Sequence, residues 1–219
     1  MKRSELDVYI LIKQKMKDEI YDSLWTVYQN ANAMITTRGF FNNAITNKKF
    51  KTLVNKVNFS RRALDFVARR HESSLKVIFW QNVAGKKMGV VAIRNMLTML
   101  KSSDIKHVVL ISVCNITAQG KKAIAEINRS NVFVIEHFTD SYFGVNITKH
   151  EMASPHRIMS ADETKMLLRT YRVELDKLPK ILKIDAMCRY LGATVGQCIE
   201  ITRNSETAGK TLYYRTVID

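Results

Sequence analysis

The residues of this chain that could carry out chemistry are carboxylates beside apolar runs, a few histidines and three cysteines, and their spacing limits what they can do. Cleaving a phosphodiester on a divalent metal requires carboxylates that converge on a hard cation, usually with a lysine or a water-positioning group beside them. Glu72, Asp104, Glu126, Glu136 and Asp140 stand near the apolar runs, yet no run presents two carboxylates and a lysine at alternate positions. His137, His150 and His156 are thirteen and six residues apart with no cysteine close by, and His107 follows Lys106 at the head of an apolar run, so no metal site is expected. Cys114, Cys188 and Cys198 lack the close pairs of a zinc site and are expected as buried thiols. Ser112 and Cys114 lie outside any nucleophile elbow.

Phosphate binding leaves a stronger trace. Ala84-Gly85-Lys86-Lys87-Met88-Gly89 lacks both the glycine spacing and the Gly-Lys-Ser/Thr ending of a nucleotide-cradling loop. It nevertheless sets Lys86 and Lys87 just before a helix start, where a backbone phosphate could be met. In the second half, Arg203-Asn204-Ser205-Glu206-Thr207-Ala208-Gly209 is a dense polar run that could order a turn or present a binding edge.

The elements that must position these residues follow from periodicity. Ile20, Leu24, Trp25, Val27, Tyr28, Ala31, Met34 and Ile35 predict a helix ending near Arg38-Gly39. Phe40 to His71 has no clean period and reads as loops with short helices. Leu75–Trp80, His107–Ser112 and Asn131–Ile135 read as strands. A helix opened by Gly89 (Val90, Ile93, Leu97, Leu100 inward) and one capped by Thr117 (Ala123, Ile124, Ile127 inward) separate them. This alternation is that of an α/β sheet covered by crossover helices, doubly wound or endonuclease-like. After residue 145 come a capping box at Ser160 and Glu163, a helix lined by Met166, Leu167 and Tyr171, and an extended link at Leu178–Ile181. A short helix capped by Asp185, running through Tyr190 with Gly192 just past its end, and two strands, Gln197–Arg203 and Thr211–Ile218, joined by a turn at Asn204–Gly209, follow. Two domains are expected, 1–145 and 146–219.

The 219 residues carry 35 Lys and Arg against 20 Asp and Glu, a net charge of +15, with 46% hydrophobic residues and only 2 Pro and 3 Cys. Disordered, collagen-like, coiled-coil and disulfide-framework classes are excluded. No apolar run reaches the length of a membrane span, and no signal peptide is read. Residues 1–145 hold 23 basic and 11 acidic side chains (+12), and 146–219 hold 12 and 9 (+3). A polyanion such as nucleic acid is the natural partner for the first part.

From residue 146 onward the sequence resembles the C-terminal assembly domain of the shared fifth subunit of eukaryotic nuclear RNA polymerases I, II and III, whose archaeal counterpart consists essentially of this domain alone. The resemblance rests on Asn146-Ile147-Thr148-Lys149-His150-Glu151, His156, Ser160, Glu163, Leu167-Leu168-Arg169, Tyr171 and Leu178-Pro179-Lys180-Ile181. It continues through Asp185, Tyr190-Leu191-Gly192, Gly196, Arg203, Ser205-Glu206-Thr207, Gly209 and Tyr214-Arg215. Residues 1–145 look like the family's N-terminal jaw domain, through Leu24-Trp25, Met34, Arg38-Gly39-Phe40, Gly89, Asn115-Ile116-Thr117 and Lys121. Ala186 stands where the family usually has Pro, Pro155 lies one position late, and Cys198 replaces a common Val. Such divergence would suit a copy from a large DNA virus.

The resemblance implies a two-domain α+β protein: an α/β jaw resembling a restriction endonuclease in fold but without its chemistry, and a small α+β assembly domain. It implies a non-catalytic subunit with no cofactor and no metal, anchored to the largest polymerase subunit and other subunits, and not a homo-oligomer. The jaw would lie beside downstream duplex DNA, contacted without sequence preference by Asn115, Thr117, Lys121 and Lys122, joined by Lys86 and Lys87. Pro179, Arg203, Glu206, Thr207 and Arg215 are the expected subunit interface. The location would be the nucleus for a cellular protein, and the viral factory, host cytoplasm or virion for a viral one. A stand-alone basic nucleic-acid-binding protein and a divergent metal-dependent nuclease are the alternatives.

Overall fold

A computed structural model describes residues 3–56, 60–81, 87–100, 105–130, 132–205 and 209–219, with side chains from residue 18 onward except those of Asn55, Lys56 and Ser205. The chain divides into two compact units, Met1–Val145 and Asn146–Asp219, in a two-domain α+β architecture.

The first unit begins with α1, Arg3–Thr37, much longer than its apolar stripe predicts. No glycine or proline precedes Gly39, so nothing in the chain stops the helix earlier. It ends in paired bonds from Phe40 N–H to Ile35 (3.1 Å) and Gly39 N–H to Thr36 (2.9 Å), with Gly39 at φ 80°. The irregular stretch that follows holds α2, Asn47–Lys56, a 3-10 turn at Arg61–Leu64, and a strand not expected from sequence, β1, Phe66–Arg70. β2 (Ser73–Trp80), α3 (Val90–Leu100), β3 (His107–Ser112), α4 (Ala118–Arg129) and β4 (Val134–Thr139) complete the unit.

The sheet runs β1-β2-β3-β4, antiparallel at β1–β2 and parallel thereafter. β3 has five consecutive buried residues, as a strand covered on both faces must. One face lies under α3 and α4 through Ile93, Met96, Leu100 and Ile124, against Ile78, Val108, Leu110 and Ile135. Met96 rather than Val90 completes the inner stripe of α3, and Val90 and Leu97 are only half-buried. The other face carries Phe66 and Phe79, and α1 and α2 pack there as an aromatic cluster with Tyr28 5.7 Å from Phe66 and Trp25 4.9 Å from Phe50.

β4 lies further along the chain than expected. Glu136 and His137 continue it because each finds a distant polar partner, which no local pattern announces. At its outer edge the Asn128 side chain donates to the Ile135 carbonyl (3.0 Å) and accepts from the Ile135 N–H (2.8 Å), taking the place of one strand residue.

The second unit is a sheet ordered β5-β7-β8-β6, made of β5 (His156–Ile158), β6 (Lys180–Leu182), β7 (Cys198–Ser205) and β8 (Gly209–Ile218). Two helices, α5 (Ala161–Tyr171) and α6 (Ala186–Leu191), are set into it. The capping box is present, with Glu163 N–H to Ser160 Oγ at 3.2 Å and Ser160 N–H to Glu163 Oε2 at 2.7 Å. Asp185 caps α6 and Gly192 closes it at φ 71°. The expected extended link is instead strand β6, parallel to β8. Only Leu167 of α5 is buried: Met166 and Tyr171 are 72% and 61% exposed, because the core beneath needs just one side chain to meet Met159 and Cys198. Cys188 and Cys198 are buried, whereas Cys114 is half-exposed in a loop.

Candidate nucleic-acid interface and docking surface

The two loops of the first unit predicted to meet phosphate are brought side by side at the carboxyl ends of the parallel strands. Met88 and Ile116 form a parallel bridge, and the Thr117 N–H donates to the Met88 carbonyl at 3.0 Å. Alternation then buries Met88 and Ile116, each 3% exposed, and turns Lys87 and Asn115 to solvent with Thr117 half-exposed. Thr117 caps α4 by accepting from the Gly120 N–H at 3.1 Å. Gly120 fits this turn because a β-carbon there would lie 2.4 Å from Ile116 Cγ2. Lys121 and Lys122 are exposed one turn in, and among the described residues neither they nor Lys87 enter an ion pair. Lys86 lies outside the described residues. The loop is braced from below: the Ser112 hydroxyl donates to the Cys114 carbonyl (2.7 Å), so the His137 Nε2–H at 2.8 Å donates to Ser112.

Two of the candidate carboxylates, Glu136 and Asp140, are committed elsewhere, and Asp104 lies outside the described residues. Glu136 accepts both guanidinium nitrogens of Arg38 (2.7 and 2.8 Å) and pairs with His107 Nε2 at 2.7 Å. Burial pushes its carboxyl up, but the His107 hydrogen bond and the Arg38 charge outweigh that and hold it at about 2. Asp140 takes a bidentate grip from buried Arg61 at 2.5 and 2.6 Å. Among the described residues no group of three His, Cys, Asp or Glu is placed to hold a metal. Nor is any helix among them long and apolar enough to cross a membrane. No local pattern announces these pairs, whose partners are 98 and 79 residues apart.

In the second unit, β5 and β6 pair only with the bases of β7 and β8, so the far end of that hairpin stands as a two-stranded ribbon. The Arg203 guanidinium lies 5.1 Å from the Tyr213 ring centroid there, and Leu212 and Tyr213 are 48% and 46% exposed. Sequence reasoning misses Leu212 and Tyr213, although two adjacent apolar residues in an alternating strand are a signal that one faces solvent. Pro179 and Arg215 both stand at the β6–β8 seam, where the Pro179 carbonyl accepts from Thr216 N–H (2.8 Å) and Arg215 Nη1 donates to the Lys180 carbonyl (3.4 Å). Glu206 and Thr207 lie outside the described residues.

Residues 145–217 match the family described as RNA polymerase Rpb5, C-terminal domain. The chain is 31% identical over 132 residues, 60% of its own length and 67% of the relative's, to the DNA-directed RNA polymerases I, II, and III subunit rpabc1 of Dictyostelium discoideum. The chain belongs to the Rpb5/RPABC1 family. It is 32% identical over 132 residues to the subunits RPABC1 of Caenorhabditis elegans and Caenorhabditis briggsae, a match that spans 62% of each of those relatives.

Proposed function

We propose that this Rpb5-family chain is a non-catalytic structural subunit of a multisubunit DNA-dependent RNA polymerase, anchored by residues 146–219 to the largest subunit. The match across residues 145–217, nearly the whole second unit, carries this reading. The exposed ribbon with Arg203 on Tyr213, and the Pro179–Arg215 seam, supply the arginine, aromatic and aliphatic surface that interfaces favour. Glu206 and Thr207 complete the proposed contact set.

The first unit is proposed as an endonuclease-like jaw in which Asn115, Thr117, Lys121 and Lys122, with Lys86 and Lys87, face downstream duplex DNA. An α4 N-terminus and flexible ammonium groups hold phosphates without reading bases, which suits an enzyme that must translocate. Removing both Lys121 and Lys122 is expected to lower the slope of log affinity against log salt for duplex by about 1.8. An unchanged slope would remove this loop from the DNA path.

Affinity capture of the tagged chain from its source tests the assembly reading. Stoichiometric recovery of the two large polymerase subunits is expected, and recovery of the folded chain alone would overturn it. The relatives named above are cellular, which supports a nuclear subunit. A copy carried by a large DNA virus would instead come back with viral large subunits, from viral factory, host cytoplasm or virion.

A further inference from the structure

The sheet face that α3 and α4 cover is left open on its β1 side. By the alternation of the β1–β2 register, Val67 and Arg69 share that face with Ser74, Lys76, Ile78 and Trp80. α3 and α4 reach Ile78 and Trp80, whereas Val67 and Arg69 remain exposed and Lys76 half-exposed. Phe41 exchanges backbone hydrogen bonds of 2.8 and 2.9 Å with Arg69, so its side chain stands on the same side. The two adjacent phenylalanines have opposite fates. Phe40 is 6% exposed with the Arg70 guanidinium 4.8 Å from its ring, and Phe41 is 75% exposed. At the end of β2 the exposed Arg62 lies 5.8 Å from the Trp80 ring centroid.

Arg62, Arg69 and Lys76 enter no ion pair among the described residues. Asp65 is within electrostatic reach of Lys76 and Arg62, but its Oδ1 is engaged by the Phe79 N–H at 2.7 Å. Arg69 and Lys76 are diagonal neighbours across β1–β2, about 7–8 Å apart by sheet geometry. Two cationic side chains rooted at that spacing can each meet a different phosphate of one strand.

We propose that this face takes a single nucleic-acid strand, with phosphates on Arg62, Lys76 and Arg69 and a base stacked on Phe41. A duplex keeps its bases paired and would leave Phe41 in water, whereas an unpaired strand buries it. Phe41, Arg69 and Lys76 are not among the residues proposed for duplex DNA, and this reading does not depend on that one.

Fluorescence anisotropy of the full chain tests it, with a labelled oligothymidine of about 20 nucleotides and a duplex of the same length as probes. Phe41→Ala is expected to weaken strand binding at least about fivefold while duplex binding holds, with Phe41→Trp restoring it. Arg69→Ala with Lys76→Ala is expected to lower the strand's salt slope by about 1.4. These side chains are on the surface, so the variants should match the parent by circular dichroism. The proposal fails if folded Phe41→Ala binds the strand like the parent, if Phe41→Trp does not restore binding, or if the salt slope is unchanged. Displacement of the strand by polyglutamate as efficiently as by unlabelled oligothymidine would overturn it in favour of an acidic protein partner.

Discussion

The two units solve the same problem, anchoring charged side chains, by different means. In the first, Arg38 and Arg61 are buried and gripped in bidentate fashion by Glu136 and Asp140 from remote parts of the chain. In the second, Arg157 bridges Glu163 (2.7 Å) and Glu200 (3.1 Å) at the surface, with half its side chain in water. Buried pairs hold a fold together only as long as both partners remain, whereas surface pairs are close to neutral additions. The first unit therefore depends on matched long-range partners, while the second depends on caps and a hairpin.

The largest way to break this contrast is Glu136→Ala, which leaves Arg38 buried without its carboxylate. It should cost about 3–5 kcal/mol in a urea melt, against less than about 1 kcal/mol for Arg157→Ala. Similar losses from both variants would erase the distinction. The carboxyl of Glu136 is held below its ordinary value, so its stabilisation is present above about 4.5 and is lost as pH falls toward about 2.

Asp65, in the first unit, is a buried carboxyl shifted the other way. Burial raises its carboxyl to about 6, despite the Phe79 N–H and the nearby Lys76 and Arg62 charges. A raised folded value favours the protonated form, so its contribution is full below about 3.8 and is lost as pH rises through about 6. Asp65→Asn keeps an acceptor for Phe79 and removes the charge. We expect it to stabilise by about 1–2 kcal/mol at pH 7, with the gain vanishing below about pH 4. A gain that persists at low pH would point away from the buried charge.

The smallest effect belongs to the second unit. Arg172 ends α5 at φ 53°, a conformation glycine adopts freely, with Val173 N–H reaching the Leu168 carbonyl at 3.1 Å. Arg172→Gly should raise the stability of this unit by about 0.5 kcal/mol or slightly more in thermal melts. A loss instead would show that the arginine side chain contributes more than its backbone costs.

These contrasts also explain what is legible in the sequence. The capping box at Ser160, the Asp185 cap and the Gly39 and Gly192 terminations are written within a few neighbouring residues and stand where expected, and the β7–β8 hairpin forms with its ladder carried two residues further, through Asn204 and Ser205. β1, β5 and β6 are short and carry no period of their own, and they exist because a longer strand offers them a ladder. Sequence pattern places β4 too early because its apolar start hides a polar continuation whose partners, Arg38 and Ser112, lie far away in the chain. At the proposed duplex site, the Met88–Ile116 bridge joining two loops is a backbone contact that side-chain types do not encode. Phe41 is hidden for a similar reason, since a phenylalanine pair does not declare which ring turns to solvent.

Asn128 has a consequence for how the first unit's sheet ends. A parallel sheet that ends in an open strand offers a template on which another copy can add, and such growth has no natural stop. By presenting both an acceptor and a donor to Ile135, one amide side chain blocks the ladder at that residue from within the molecule. At Ile135 the edge is spent before a neighbour can reach it, by a residue of the molecule's own helix.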